Sequence, residues 1–572
     1  MQAKLNTNHF NAKLNSFLQK VYPATWFGWK LWFTVLAVVF AIQLLTIDVL
    51  PHLQQDEAQI TDYGRLALDP QSDWSITWWM AEGKPLLLWS YLGPLIAEIS
   101  FQFGGASGLG PRIASLLGGM VAATMVLGWL ISRRVPVYAA FGLGVVFLLD
   151  PLFVLSQRMA RLDSWVIALC LAACWILHTE IKKESRSFPR WRIMAAGGLA
   201  ATAAFIWPSA IFMYPLLVFE LLQYPRNDKT AIDKWKSIFL QGINFILGGV
   251  IIVFLLLLPV WDHMVIIFSD MATMVTQNVD ASKSFQDKLF GLFNSQNWLK
   301  TVKVFIKTFS PFLPLLAIAG ALLKFEKSLI IATIGTVILI FATLVYEWRV
   351  LYLIPYLIAL SSGVFKGSEE NFKNARFEKF AFTALVILII WSVGISLLVR
   401  TTLGLETKTA LDRDRIHQVA SSSIGSGDHK VFLGFTYEFY FVGRSLGWKL
   451  YTPYIQFTYD SQGNWIREND YQPKDKFLKL LSGMDYAIFS KGSVNKDLEE
   501  QLTSSGLYFN KILRVGKDSA VEEIPQAHLK NIMLWYLQGK ESYGSYVLFA
   551  RQENIKSEDL SQNKLQPQQL NY

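Results

Sequence analysis

Cysteine is nearly missing: the 572 residues contain two, Cys170 and Cys174, one helical turn apart inside an apolar run. This excludes a disulfide framework, and two thiols in such a run read as small packing residues before they read as a redox or metal pair. Charge is scarce too. Asp, Glu, Lys and Arg make up 17% of the chain, well below the roughly 25% of soluble domains. No G-x-G-x-x-G or P-loop opens a helix, and Gly425-Ser426-Gly427 is a bare turn without that context, so nothing points to a nucleotide-binding fold. No cleavable leader is expected. Residues 1–30 are polar and no A-x-A site follows the first apolar run, so residues 31–50 read as a retained signal anchor.

What is abundant is apolar sequence: 52% hydrophobic, 14% aromatic, mean hydropathy +0.31. Apolar runs alternate with short charged connectors, the pattern of a polytopic α-helical membrane protein. The formal charge of +9 is no nucleic-acid signature, because the basic residues sit in those connectors. Lys4, Lys13, Lys20 and Lys30 precede the first span, which places the N-terminus in the cytoplasm by the positive-inside rule. The loop 51–112 then lies outside. Within it, residues 85–103 read as an interfacial helix, since a spanning one would expel Arg133-Arg134 from the cytoplasm.

Continuing the alternation gives about eleven spans over residues 31–399. The membrane is then a bacterial inner or plasma membrane, with the remainder of the chain on the extracytoplasmic side. From residue 400 the character changes. Strand-like runs at 430–435, 485–490 and 546–551 are separated by helical candidates at 476–481 and 497–503, which predicts a small mixed α/β domain over 400–553. Residues 554–572 form a polar tail.

Chemistry should sit where ionisable groups gather at one membrane face, because desolvating them needs a reason. Asp56-Glu57, Glu82, Lys84, Arg158, Arg161 and Asp163 all fall outside in this topology. Cations can hold a departing phosphate while a carboxylate takes the proton of an attacking hydroxyl or amine. The bland readings stand beside these: an acidic loop capping a helix for Asp56-Glu57, headgroup anchoring for Arg158 and Arg161, an N-cap for Asp163. Asp262-His263 ends a span; it reads either as a polar helix terminus or as part of a divalent-metal site shared with Glu57 or Glu82. Arg349 reads either as a phosphate ligand or as the partner of Glu347. No cofactor is required by the pattern.

Asp56-Glu57 after the first span, Gly83-Lys84-Pro85-Leu86 opening an external helix, and Arg158-Met159-Ala160-Arg161-Leu162-Asp163 before a later span resemble glycosyltransferase family 39. This is the GT-C class, which includes protein O-mannosyltransferases and the enzymes that move aminoarabinose onto lipid A. The likeness covers roughly the first 220 residues; Arg349, Tyr352 and Pro355 resemble a later Arg-Tyr-x-x-Pro element. It implies a polyprenyl-phosphate sugar donor, an extracytoplasmic acceptor (lipid, glycan or protein) and inversion at the anomeric carbon. It also implies Asp56 as the leading catalytic acid, with Asp163 as the second and Glu57 beside them. Lys84, Arg158, Arg161 and Arg349 would meet the donor phosphate. Two departures, Glu82 displaced by one position and Gln59 where the aminoarabinose enzymes carry Arg, leave the donor sugar open. The rival reading is a transporter or flippase of lipid-linked sugars, for which paired half-repeats with broken helices would be expected; none is visible.

Overall fold

The structure, a computed structural model, describes residues 26–69, 71–76, 90–181, 190–223, 231–263, 310, 312–343, 347–370, 375–452, 457–459, 465–467, 474–516 and 529–555. Its first part is an all-helical bundle. Helix α1 (Trp26–Leu44) leads through a loop to α2 (Gln55–Leu68), followed by α3 (Leu92–Gly104), α4 (Leu109–Ser132), α5 (Val137–Leu148), α6 (Pro151–Arg158) and α7 (Asp163–Ile181). After these come α8 (Arg190–Ile206), α9 (Tyr214–Leu222), α10 (Ala231–Leu257), α11 (Phe312–Leu323), α12 (Lys327–Thr343), α13 (Ile354–Glu370), α14 (Ala375–Val393) and α15 (Arg400–Thr407). One apolar core, with Trp32, Trp129, Phe147, Phe153, Tyr352 and Tyr356 among its largest members, runs through the bundle.

Among the described residues, four helical stretches are long and apolar enough to cross a membrane, or five if the bent pair α5–α6 is one span. The remaining apolar helices are shorter. Helix α3 has 13 residues, about 20 Å at 1.5 Å per residue, too short for a hydrocarbon core of about 30 Å. It packs on α2 instead, and closely. A Cβ on Gly64 would lie 2.0 Å from the Pro94 carbonyl oxygen, so a larger residue there would push the two helices apart. Helix α10, mostly outward-facing, docks on α8 by the same device: a Cβ on Gly197 would lie 1.9 Å from the Phe245 carbonyl.

The residues just ahead of the Arg158–Asp163 motif are helical, α6 running up to Arg158. Asp150 Oδ1 accepts from the amides of Leu152 (3.0 Å) and Phe153 (3.4 Å), with Pro151 at the first helical position. An acidic N-cap followed by proline is a helix-start signal in its own right.

Beyond α15 a mixed α/β domain follows: α16 (Arg413–Ser423), β1 (Lys430–Gly434), α17 (Tyr440–Ser445), β2 (Lys449–Tyr451), the hairpin β3 (Phe457–Tyr459) and β4 (Trp465–Arg467), α18 (Lys474–Leu481), β5 (Tyr486–Ser490), α19 (Lys496–Ser504), β6 (Leu507–Arg514), α20 (Leu529–Tyr536) and β7 (Ser545–Arg551). The main sheet runs β2-β1-β5-β7-β6. β1 is parallel to β2 and β5, whereas β7 is antiparallel to β5 and β6. The core strands are apolar on both faces, as burial on both sides requires. Phe432, Phe489 and Phe549 face α18 and α19, while Val431, Ile488 and Leu548 face the side covered by α16, α17 and α20.

Candidate active site

The loop between α1 and α2 is held by two arginines. Arg112, near the start of α4, sends Nη1 to the carbonyls of Ile47 (2.5 Å) and Pro51 (2.9 Å). Arg158, the last residue of α6, donates to the carbonyls of Leu50 (2.7 Å) and Gln43 (2.8 Å) and to Thr46 Oγ1 (3.0 Å). Both side chains are fully buried. A buried guanidinium needs several acceptors to offset its desolvation, and an interhelical loop with unsatisfied carbonyls supplies them. Arg158, expected from sequence at the donor phosphate, is placed in the wall of the site with three protein acceptors of its own.

The same loop starts α2. Gln54 is the N-cap and Glu57 reaches back to its amide at 3.2 Å, a capping box. Glu57 also forms a two-pronged pair with Arg112, 2.6 Å from Nε to Oε2 and 2.6 Å from Nη2 to Oε1. Neither side chain has any exposure. Glu57 and Asp56, neighbours in sequence, therefore stand in opposite environments. Asp56 keeps 30% of its side chain exposed.

Asp56 faces the segment between α6 and α7. Arg161 donates from Nη1 to Asp56 Oδ2 and from Nε to Asp163 Oδ2 (2.8 Å). One guanidinium thus bridges the two acids that the sequence singled out. Asp163 opens α7, takes the Tyr352 hydroxyl on Oδ1 at 2.7 Å, and is fully buried. The Trp348 ring lies under Arg161, with 4.4 Å from Cζ to the ring centroid, a cation–π contact that fixes the plane of the fork. Ala160 sits at φ +51, the left-handed turn that swings Arg161 from the end of α6 back toward Asp163. Among the described residues, the second oxygen of Asp56 has no hydrogen-bond partner. A carboxylate oriented through one oxygen and open at the other is the geometry of a general base.

Arg349 lies beside this cluster, 6.0 Å from Cζ to the Phe212 ring, which in turn is 5.8 Å from the Tyr352 ring. Glu82 and Lys84 lie outside the described residues. Asp262 and His263 lie on the 3-10 turn Leu258–His263, and their side chains lie outside the described set, as does that of Glu347. Among the described residues no three His, Cys, Asp or Glu side chains converge as a metal group.

Arg112 and Trp348 join the candidate site and were not assigned to it from sequence, and Tyr352 was singled out there only through the Arg-Tyr-x-x-Pro likeness. Arg112 carried a usable signal, since a charged residue at the head of a long apolar helix implies a buried partner.

Helices α2 and α3 and the turns that follow them also carry the C-terminal domain. Asp62, fully buried, accepts from Arg65 Nε (2.8 Å), the Ser75 hydroxyl, the Ile76 amide (3.0 Å) and the Tyr440 hydroxyl of α17 (3.2 Å). Glu98 receives both Nη atoms of Arg444 at 2.5 and 2.8 Å. Arg413 donates to the Ser107 carbonyl.

No family model and no curated protein sequence matches the chain. Solved structures do. ArnT from Cupriavidus metallidurans bound to undecaprenyl phosphate aligns over 93% of this chain and 99% of its own, with TM-score 0.50 at 13% identity. The archaeal oligosaccharyltransferase AglB from Archaeoglobus fulgidus, in complex with an inhibitory peptide and a dolichol-phosphate, aligns over 88% of this chain and 76% of its own, with TM-score 0.49 at 13% identity. The apolar helical bundle with its small C-terminal sheet domain has the fold of the GT-C membrane glycosyltransferases.

Proposed function

We propose that the chain is an inverting glycosyltransferase that moves a sugar from a polyprenyl-phosphate donor to an extracytoplasmic acceptor. The observation that carries this is the Asp56–Arg161–Asp163 bridge, in which Asp163 is buried while Asp56 keeps 30% of its side chain exposed and, among the described residues, one oxygen without a hydrogen-bond partner. The ArnT structure, whose fold this chain shares, holds undecaprenyl phosphate, and that lipid class is the donor carrier adopted here.

In the proposed reaction the acceptor's hydroxyl or amine attacks the anomeric carbon from the face opposite the phosphate. Asp56 takes the proton from the attacking atom. The bond between the anomeric carbon and the phosphate oxygen breaks, and its electron pair leaves with the polyprenyl phosphate. Lys84 and Arg349 are the cations assigned to that phosphate. Arg161 is assigned to orientation, because it already binds two carboxylates, and Asp163 with Tyr352 holds Arg161 in place. Glu57 and Arg112 are assigned to the frame of the loop.

The test is transfer of radiolabelled sugars from a series of undecaprenyl-phosphate donors by the purified full-length protein in proteoliposomes. Transfer by the wild type, lowered by about 10²–10⁴-fold in Asp56→Asn, is the expected result. Movement of the intact lipid-linked sugar across the bilayer with no transfer would establish a transporter in its place.

A further inference from the structure

Between the bundle and the sheet domain, one residue of the C-terminal domain makes three bonds to the segment just ahead of Asp56. Helix α20 ends in a paired turn: the Gln538 amide donates to the Trp535 carbonyl (3.2 Å) and the Gly539 amide to the Leu534 carbonyl (2.7 Å). This closing motif needs a left-handed residue, for which glycine is the usual choice. Here Gln538 takes it at φ +54, a conformation that strains a non-glycine residue. The turn points the Gln538 carbonyl away from its own helix and at the bundle. The His52 amide donates to it at 3.2 Å, and His52 Nδ1 approaches the same oxygen at 2.8 Å. A carbonyl only accepts, so Nδ1 carries the hydrogen. The side chain of Gln538 is used too: its Oε1 accepts from Gln54 Nε2 at 3.1 Å. Gly539 packs against Leu50, where an added Cβ would come 2.4 Å from Cδ2.

Gln54 caps α2 and Asp56 is its second helical residue. The bundle ties the loop through Arg112 and Arg158 at residues 43–51. Residues 52–54, the last before the helix, are tied by Gln538. We infer that Gln538 is a positioning residue for the transfer reaction: the sheet domain uses it to fix the start of α2, and with it the place of Asp56 against Arg161. This rests on the reading of Asp56 proposed above. It also gives the left-handed glutamine a purpose, since a glycine would close the helix without strain but could not hold Gln54.

The experiment compares the wild type with His52→Ala, His52→Asn and Gln538→Gly as full-length purified proteins. Amide hydrogen exchange is followed over residues 52–58 and over β5 and β7. Steady-state transfer is followed from whichever undecaprenyl-phosphate sugar supports wild-type turnover. His52→Ala removes the Nδ1–H donor, and loss of one hydrogen bond should speed exchange at 52–58 by about five- to tenfold. Misplacement of Asp56 should lower kcat by up to about 10²-fold, as a shift near 1 Å can, with KM unchanged and the sheet still protected. Asn offers an amide donor near the place of Nδ1, so His52→Asn should restore both. Gln538→Gly keeps the carbonyl and should show only the smaller effect of losing the Gln54 bond. Unchanged exchange in His52→Ala, or faster exchange with unchanged kcat, overturns the inference. So does failure of His52→Asn to recover what alanine loses while the sheet stays protected. Absence of any transfer by the wild type would sink the functional reading, and the exchange comparison would still decide whether Gln538 holds the loop.

Discussion

Two ionic clusters sit at opposite ends of the same pair of helices, and they are built differently. The 24 residues of α4 span about 36 Å at 1.5 Å per residue. At its start, beside the head of α7, Asp56 and Asp163 share Arg161. Beyond its end, near the tail of α7, Arg133 bridges Glu220 (2.8 Å) and Glu326, His178 Nδ1 meets Glu220 at 2.9 Å, and Lys366 meets Glu326 at 3.2 Å. Trp129 Nε1 adds a third donor to Glu220 at 2.8 Å. The second cluster pairs two acids with two obligate bases, and each carboxylate has at least two donors. Among the described residues the first joins two acids through one arginine, and Asp56 keeps 30% of its side chain exposed. Balanced charge, with each carboxylate held by donors, is what a buried ionic network needs merely to exist. In the proposed reading the partly exposed cluster is the reaction centre and the balanced one a fastening.

The contrast can be broken most decisively at Asp56. Asp56→Asn should lower kcat by about 10²–10⁴-fold, the usual loss for a general base, with donor affinity and melting temperature largely kept. Steady-state kinetics with a donor-binding assay checks this. Normal turnover in that variant would erase the difference between the two ends.

At the far end the expectation reverses. Glu220→Ala leaves Arg133 buried with one partner fewer, which should cost about 3–5 kcal/mol of stability with kcat per folded molecule unchanged. Thermal unfolding in detergent, normalised to folded protein, measures both. A stable but inactive variant would place chemistry there after all.

Asp163→Asn should sharpen the comparison within the first cluster. Arg161 loses one of its two carboxylates and Tyr352 faces an amide, so Asp56 loses its support without losing its own oxygens. A drop in kcat of about 10²-fold is expected from misorientation, together with weaker donor binding or a lower melting temperature. A pure kcat effect larger than that of Asp56→Asn would exchange their roles.

The last expectation is a pH dependence and belongs to His52. Removal from water, with the positive charges of Lys540 and Arg112 nearby, pushes its pKa down to about 3 from about 6.5 in an unfolded chain. A lowered histidine pKa contributes stability that is complete above about pH 6.5 and lost as pH falls toward about 3. Comparing wild type with His52→Asn, which cannot gain that proton, isolates the contribution. The wild type should lose melting temperature faster between pH 6.5 and about 4, and parallel curves would show that His52 is not held neutral by the docked domain.

Much of this molecule is written in short stretches. Apolar runs with sparse charge announce the membrane helices, because each run must bury itself and satisfy its own backbone. Alternating strand-like and helical runs beyond residue 400 announce the sheet domain. Asp56 and the Arg158–Asp163 segment are legible because a few ionisable residues beside apolar helices are hard to explain otherwise. The sequence did not reveal which of those charges would face one another. Glu57 is paired with Arg112, 55 residues on, and Tyr352 reaches Asp163 across 189 residues. Gln538 meets His52 across 486 residues. Arg158 and Arg161 look alike in their motif, yet one closes the loop and the other bridges the acids. Local patterns fix helices because periodicity and capping act over a few residues. Charge pairing depends on which helix ends packing brings together, and only the tertiary structure decided that.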